Sequence, residues 1–216
     1  MALRHSTRKR KLLTALTAAG IIAGTLAAAT PASADSRLAV TNPSFIQPYV
    51  DPNGLSSYQN YGVDNNGIPG WRVTQGSVDV YGRAASKTGG SSVVESGSQA
   101  VDLNGGGPGG IEQTLSTVPG SLVTLTFATK INDHPWCAAN APSVNESLYV
   151  QFAGDPDNAR LRSLGSVNTP GRYATWQLVR IALPATGRHS RLQFISATSG
   201  ACGPIITDVD ATDNTA

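Results

Sequence analysis

Three glycines have the spacing in this sequence that most strongly suggests chemistry. The stretch "VDLNGGGPGGIEQTL" (101–115) places Gly105, Gly107 and Gly110 in the pattern G-x-G-x-x-G, which cradles a pyrophosphate in dinucleotide-binding proteins. That chemistry needs a parallel strand before the glycines and a helix that begins at them. The following "IEQTLSTVPG" (111–120) is rich in Thr, Ile and Val and ends at Pro-Gly, so it predicts a strand. We therefore predict no dinucleotide cofactor and interpret Gly105 to Gly110 as a hairpin connection between two strands.

Residues suited to catalysis are few. After residue 34 the histidines are His134 and His189, and neither belongs to a zinc or serine-hydrolase motif. The glutamates are Glu95, Glu112 and Glu146, and the alternation around Glu112 predicts an exposed strand residue. Two carboxylates that converge in space could hydrolyse a glycosidic bond, so a glycoside hydrolase with an unrecognised pair stays open. We predict no catalytic residue and no metal ligand.

Aromatic residues in long connections suggest sugar binding, because Trp and Tyr rings stack on the apolar faces of sugars while polar groups bind the hydroxyls. Tyr58 and Tyr61 lie in the first long loop, Tyr81 and Arg83 follow a predicted strand, and Trp136 lies in a loop beside Cys137. We predict these five as ligand-binding residues. For Trp136 the alternative of packing over a disulfide stays open.

The only two cysteines, Cys137 and Cys202, are predicted to form a disulfide. Two free buried thiols or a metal pair are the alternatives. A zinc site is disfavoured because neither cysteine has a His or a second Cys at ligand spacing.

Residues 1–34 are predicted to be a signal peptide. A basic start is followed by the apolar run 12–29 and by Ala32-Ser33-Ala34, the small residues of a cleavage site. Five of the 16 Lys and Arg residues lie in this segment, which leaves 11 against 14 acidic residues. The remaining charge gives no support for a nucleic-acid or membrane partner. We expect an extracellular protein, either secreted or associated with the cell wall.

Residues 35–216 are predicted to form one all-β domain. Apolar and polar residues alternate in 77–82, 121–128, 147–152 and 191–196, as in half-buried antiparallel strands. The stretch 173–183 is apolar on both faces and predicts a central strand. Turn signals separate nine or ten such strands, which favours a β-sandwich of the jelly-roll type with one disulfide. The long loops are expected at 46–67, 82–98, 129–146 and 153–172.

Four stretches together resemble the DUF642 family, also met in bacteria as the choice-of-anchor C group. They are "TNPSF" (41–45), "IPGWRVTQGSVDVYG" (68–82), "SQAVDLNGGGPGGIEQTLSTVPGSLVTLTFA" (98–128) and "SATSGACGPIITDVDA" (196–211). The resemblance implies a galactose-binding-like jelly roll, secreted or bound to the wall, that binds carbohydrate and has no catalytic residues. Its signature positions, which we interpret as mostly structural, are Ile68-Pro69-Gly70-Trp71, Asp102-Leu103-Asn104-Gly105, Gln113-Thr114 and Cys202-Gly203-Pro204.

The sequence departs from the resembled family in two places. Related modules often hold a structural calcium ion between an early carboxylate and one on the last strand. Asp208 is present for such a site, but Ile46 stands where the family usually has Glu. Calcium therefore stays open, and we predict no cofactor. Plant members often carry two such domains, whereas this chain has one.

These observations favour a monomeric, non-catalytic module that binds a polysaccharide or another glycan. The first alternative is an extracellular structural or protein-interaction domain at the cell envelope, and the second is the glycoside hydrolase.

Overall fold

Two antiparallel β-sheets form the architecture of this chain. The computed structural model describes residues 35–51, 58–87, 92–140, 145–154, 162–170 and 175–214, with the backbone alone at 145, 154 and 162–170. The predicted signal peptide, residues 1–34, lies outside the described residues. The strands are β1 (Ser36–Arg37), β2 (Tyr58–Gly62), β3 (Arg72–Gln75), β4 (Ser77–Tyr81), β5 (Ala100–Asp102), β6 (Gly110–Ser116), β7 (Leu122–Lys130), β8 (Asn145–Gly154), β9 (Arg162–Pro170), β10 (Gln177–Pro184), β11 (His189–Ser196) and β12 (Ile205–Asn214). The helices are α1 (Arg83–Ser86) and α2 (Pro135–Asn140).

The sheets have seven and five strands. The larger sheet runs β10-β7-β12-β5-β4-β2, with β1 paired to β12, and the smaller runs β3-β6-β11-β8-β9. Their facing sides enclose one main apolar core. Neither helix in the described part of the chain has the length and apolar character needed to cross a membrane. The all-β sandwich predicted from the sequence is confirmed.

Alternation along the strands decides which side chains enter the core. In β7, Val123, Leu125 and Phe127 are buried, while Thr124 and Thr126 between them are partly exposed. Trp71 and Trp176 are also buried, at 3% and 8% exposure.

The number and the place of the strands differ from the prediction in part. Twelve strands are found among the described residues instead of nine or ten. Strand β2 lies within the predicted loop 46–67, and β9 lies within the predicted loop 153–172. The sequences of β2 (YQNYG) and β9 (RSLGSVNTP) are mostly polar, so they lack the apolar alternation that predicts a strand.

The position predicted for 173–183 is wrong. Strand β10 lies at an edge of the seven-stranded sheet and pairs with β7. Val179 and Ile181 pack against the core, but Leu178 on the opposite face is 61% exposed. Apolar residues on both faces therefore do not distinguish a central strand from an edge strand in this sheet.

The glycine run connects the two sheets, so β5 and β6 do not form the predicted hairpin, although the run folds back on itself through an isolated antiparallel bridge between Asn104 and Pro108. Strand β5 before it belongs to the larger sheet and β6 after it to the smaller one. The backbone N–H of Gly105 donates to the Ser77 carbonyl on β4 (2.8 Å), and the Gly109 carbonyl accepts from Ser196 on β11 (2.9 Å). The run thus touches both sheets. Because β6 begins at Gly110, no helix starts at the glycines, in agreement with the rejection of a dinucleotide site.

Gly109→Ala is expected to destabilise the fold by about 2 kcal/mol, because a side chain there meets backbone. A Cβ on Gly109 would lie 2.9 Å from the Leu103 carbonyl oxygen and clash with that of Ser77. Gly107→Ala is the matched control, since a Cβ at Gly107 has no heavy atom within 4 Å. Urea unfolding measures both variants, and equal losses would contradict the assigned crossing.

Candidate functional site

Strand register brings two aromatic side chains together on the outer face of the seven-stranded sheet. Tyr58 on β2 lies opposite Tyr81 on β4, and two residues further along Asn60 lies opposite Asp79. Alternation directs Val80 of β4 into the core, so these four side chains share the outer face.

A cleft of about 360 Å³ opens beside these side chains. Its lining residues, which define the aromatic cleft, are Tyr58, Asp79, Tyr81, Gly105, His134, Trp136, Cys137 and Ala201. Tyr58 and Trp136 are 50% and 54% exposed, whereas Tyr81 is buried. The Tyr81 ring centroid lies 5.7 Å from those of Tyr58 and His134. Two exposed rings are thus presented around a buried third.

Helix α2 and its disulfide position Trp136. Cys137 and Cys202 form the predicted disulfide, with Cα atoms 5.8 Å apart. Before the helix, the Asn132 side-chain oxygen accepts the His134 N–H (2.9 Å), and within it Asn140 Nδ2 donates to the Trp136 carbonyl (2.9 Å). Trp136 is about half exposed beside this disulfide.

Buried polar groups support the cleft from beneath. One row of outward residues crosses five neighbouring strands of the larger sheet, from Lys130 through Ile205, Asp102 and Asp79 to Asn60. Asp102 is fully buried and accepts hydrogen bonds from Asn132 Nδ2 (2.7 Å) and from the Asn104 N–H (2.8 Å). Asn132 also donates to the Tyr81 hydroxyl (3.2 Å), which ties the ring to the row.

Burial shifts the pKa values of four groups in and around this row. It raises the pKa of Asp102 well above the usual range, and it raises the pKa of Glu146 to about 7. The pKa of Asp79 is also raised by burial, against the opposing hydrogen bond from Asn60 Nδ2 (2.7 Å). Burial lowers the pKa of Lys130, although Asp133 Oδ1 lies 2.5 Å from its ammonium nitrogen.

Three of the five predicted binding residues line the aromatic cleft, namely Tyr58, Tyr81 and Trp136. Tyr61 packs against the core instead, because it lies an odd number of residues from Tyr58 and faces the other side of β2. Arg83 is the exposed first residue of α1 and is not among the lining residues. Tyr58 and Tyr61 lie on a strand, whereas the sequence placed them in a loop.

Besides Cys137, which was predicted only for the disulfide, four lining residues were not predicted from the sequence, namely Asp79, Gly105, His134 and Ala201. Asp79 could have been found, because it precedes Tyr81 by two residues on a predicted strand and must share its face. His134 and Gly105 carried no such signal, since they reach the cleft through the turn before α2 and through the crossing between the sheets.

The donor set around Asp208 does not fit a calcium site. Its two carboxylate oxygens accept hydrogen bonds of 2.6 Å from the Glu95 N–H and the Ser98 hydroxyl. Ile46 supplies no carboxylate and is 52% exposed. Across the described ranges, no cluster of three or more His, Cys, Asp or Glu side chains is arranged to hold a metal ion.

Residues 38–211 match the model of a family described as "Protein of unknown function (DUF642)". The chain belongs to the DUF642 family. Halomucin from Haloquadratum walsbyi (strain DSM 16790 / HBSQ001) is 28% identical over 178 residues, which are 81% of this DUF642 chain. The chain spans only 2% of the length of that curated relative.

Several solved structures resemble the DUF642 chain at low identity. A CBM4 structure has a TM-score of 0.48 at 16% identity and covers 82% of this chain and 100% of its own. TmCBM61 in complex with beta-1,4-galactotriose has a TM-score of 0.43 at 16% identity, covering 82% and 98%. The CBM22-1 xylan-binding domain from Paenibacillus barcinonensis Xyn10C has a TM-score of 0.45 at 13% identity, covering 73% and 94%.

The DUF642 signature positions meet in space as structural joints. Asp102 Oδ1 accepts the backbone N–H of Gly203 (3.1 Å), which joins the stretch 102–105 to the residue after Cys202. Gln113 binds the Thr41 backbone and donates to the Gly70 carbonyl (2.8 Å), which joins β6 to the turn before β3. Asp102, Gln113 and Gly203 thus make structural contacts, whereas the signature residue Gly105 lines the aromatic cleft.

Proposed function

We propose that this DUF642 domain binds carbohydrate in the aromatic cleft without altering it chemically. The observation that carries the proposal is the pair of exposed rings, Tyr58 and Trp136, set around a concave space with the Asp79 carboxyl in its lining. Exposed aromatic rings match the apolar faces of sugars, and a polar group at the same site fixes the orientation of hydroxyls.

Binding without turnover is supported by the carboxylates of the cleft. Glycoside hydrolysis uses two carboxyl groups that flank the scissile bond. Asp79 is the one carboxylate in the lining of the aromatic cleft among the described residues, and Asp102 next to it is fully buried. A fluorogenic glycoside panel tests this part of the proposal, because turnover would contradict it.

An extracellular location is the second part of the proposal. The leader pattern of residues 1–34 directs export, and a disulfide such as Cys137–Cys202 persists in oxidising compartments. Fractionation of the natural host is the direct measurement, and retention of the protein in the cytoplasm would contradict export.

Trp136→Ala is expected to weaken glycan binding about 30-fold, because it removes an exposed ring at the centre of a small contact. Isothermal titration against soluble fragments of cellulose, chitin, pectin and galactan measures the affinity. Tyr49→Ala is the matched control, since Tyr49 is 68% exposed and is not among the residues that line the cleft. Equal affinities of the Trp136→Ala variant and the unaltered protein would contradict the assignment of the aromatic cleft as the binding site. A protein partner found by cross-linking, with no glycan bound, would favour the interaction-domain alternative.

A further inference from the structure

The outer face of the five-stranded sheet carries a row of planar polar side chains. Arg72, Glu112, Gln193 and Gln151 are direct neighbours across β3, β6, β11 and β8. Arg191 lies two residues before Gln193 and therefore on the same face. We call these five residues the polar strip. Glu112, which the alternation predicted to be exposed, is only 9% exposed because guanidinium groups flank it.

Three buried polar atoms of this strip have no hydrogen-bond partner. They are the Oε1 atoms of Gln151 and Gln193 and the Nε atom of Arg191. Gln193 is 7% exposed, and its amide nitrogen donates to Thr74 Oγ1 (2.8 Å), so the side chain is held while its oxygen stays unbonded. Buried polar atoms in folded proteins are almost always paired, and here three unpaired ones gather on two neighbouring strands.

The charges of the strip balance when the neighbouring Asp64 is counted with it. Arg72 contacts Glu112 and lies 3.3 Å from Asp64, while Arg191 lies 3.9 Å from Glu112. Two guanidinium groups thus face two carboxylates. The strip therefore gives no net attraction for a charged ligand, and its free groups are one donor and two acceptors.

Solvent reaches the strip from its ends. The side chains of Arg72 and Arg191 are 49% and 25% exposed, and a second cleft of about 320 Å³ opens beside Arg72 and Glu112. On the same face of β8, Tyr149 is 39% exposed and offers a ring two residues from Gln151. Together with Tyr149, the polar strip therefore places amides, guanidinium groups and an aromatic ring on one face of this sheet.

We propose that the polar strip is a second binding site of this domain, for a neutral, extended oligosaccharide that lies across the strands. Sugar hydroxyls both donate and accept, so they pair with the free amide oxygens of Gln151 and Gln193 and with the free Nε–H of Arg191. Tyr149 packs against a sugar ring at the end of the row. The ligand class is that of the proposed function, while the residues are entirely separate from the aromatic cleft.

The test uses Gln151→Met and Gln193→Met, which keep the length of the side chain and remove the amide. Affinity for neutral oligosaccharides of cellulose, chitin and galactan is expected to fall about tenfold for each variant when measured in the Trp136→Ala background. Because an unbonded buried oxygen is removed, the melting temperature of the Gln151 variant is expected to stay the same or rise. Gln177→Met, an exposed glutamine on β10, is the matched control and is expected to change neither quantity.

The outcomes separate this site from the aromatic cleft. Loss of all binding in Trp136→Ala, with no effect of the glutamine variants in the unaltered protein, would overturn the second site and leave the proposed function intact. Loss of binding in the glutamine variants alone would support the second site and contradict glycan binding in the aromatic cleft. Preference for acidic pectin fragments over the neutral ones would overturn the strip as described, and binding of none of them would overturn both proposals.

Discussion

Replacing Cys137 and Cys202 together with alanine is expected to lower the free energy of unfolding by about 4 kcal/mol, because the loop between them spans 65 residues. Without the cross-link the unfolded chain gains the entropy of that loop. The same bond also fixes α2, so affinity for glycan is expected to fall as well. Urea unfolding at neutral pH measures the first effect and titration calorimetry the second.

The unaltered protein treated with a reducing agent is the control for this prediction. Reduction breaks the same cross-link but leaves both sulfur atoms in place. The stability of the reduced protein should therefore match that of the double variant, apart from the effect of the missing sulfur atoms. A loss smaller than about 1 kcal/mol in both samples would contradict a constraint on the unfolded chain.

Raising the pH from 5 to 8 is expected to destabilise this protein by about 2 to 3 kcal/mol through Glu146. The folded state holds the Glu146 proton up to a pKa of about 7, while the unfolded chain releases it near 4.5. Between these values the folded state binds more protons, so stability is fully present below 4.5 and is lost as the pH rises through 7. The raised pKa of Asp102 acts in the same direction.

Lys130 acts in the opposite direction at higher pH. Burial lowers its pKa, so its ammonium group disfavours the folded state until the pH exceeds that lowered value, and stability is regained between it and 10.5. Below its lowered pKa, Lys130 is protonated in both the folded and the unfolded state. The carboxyl groups therefore decide how the stability changes with pH there.

Glu146→Gln isolates the carboxyl contribution. A glutamine oxygen can still accept the Asn132 N–H, which now lies 2.9 Å from Glu146 Oε2, but it carries no charge. The variant is expected to be more stable than the unaltered protein at pH 8 and similar to it at pH 5. Glu95→Gln is the control, because Glu95 is exposed. An equal loss of stability at both pH values in Glu146→Gln would show instead that an ionised Glu146 stabilises the fold.

Much of the fold could be predicted because its signals are local. The alternation in 121–128 predicted β7 and its buried face, since neighbouring residues of a strand point to opposite sides. The disulfide could be predicted because the chain has only two cysteines and its leader indicates export to an oxidising compartment. Membership of DUF642 followed from four short stretches, parts of which bind one another in the fold.

The candidate site could be predicted only in part. Tyr58, Tyr81 and Trp136 were found because aromatic residues outside a core pattern are unusual. The prediction for Tyr61 was wrong because the sequence around it gave no strand signal. Without such a signal, the side of the sheet on which a side chain lies cannot be predicted. The predicted exposure of Glu112 was wrong because its burial depends on Arg72, which is 40 residues away in the chain.

The sequence by itself determined the class of the fold, the disulfide and the family, because each follows from residue types, the cysteine count or short stretches of sequence. Only the tertiary structure decided that the glycine run crosses between two sheets, that β10 is an edge strand, and which rings surround one cleft. These features depend on pairing between strands far apart in the chain, as when Tyr58 meets Tyr81. Pairing of that kind is fixed by the packing of the whole sandwich, and no short stretch of sequence contains it.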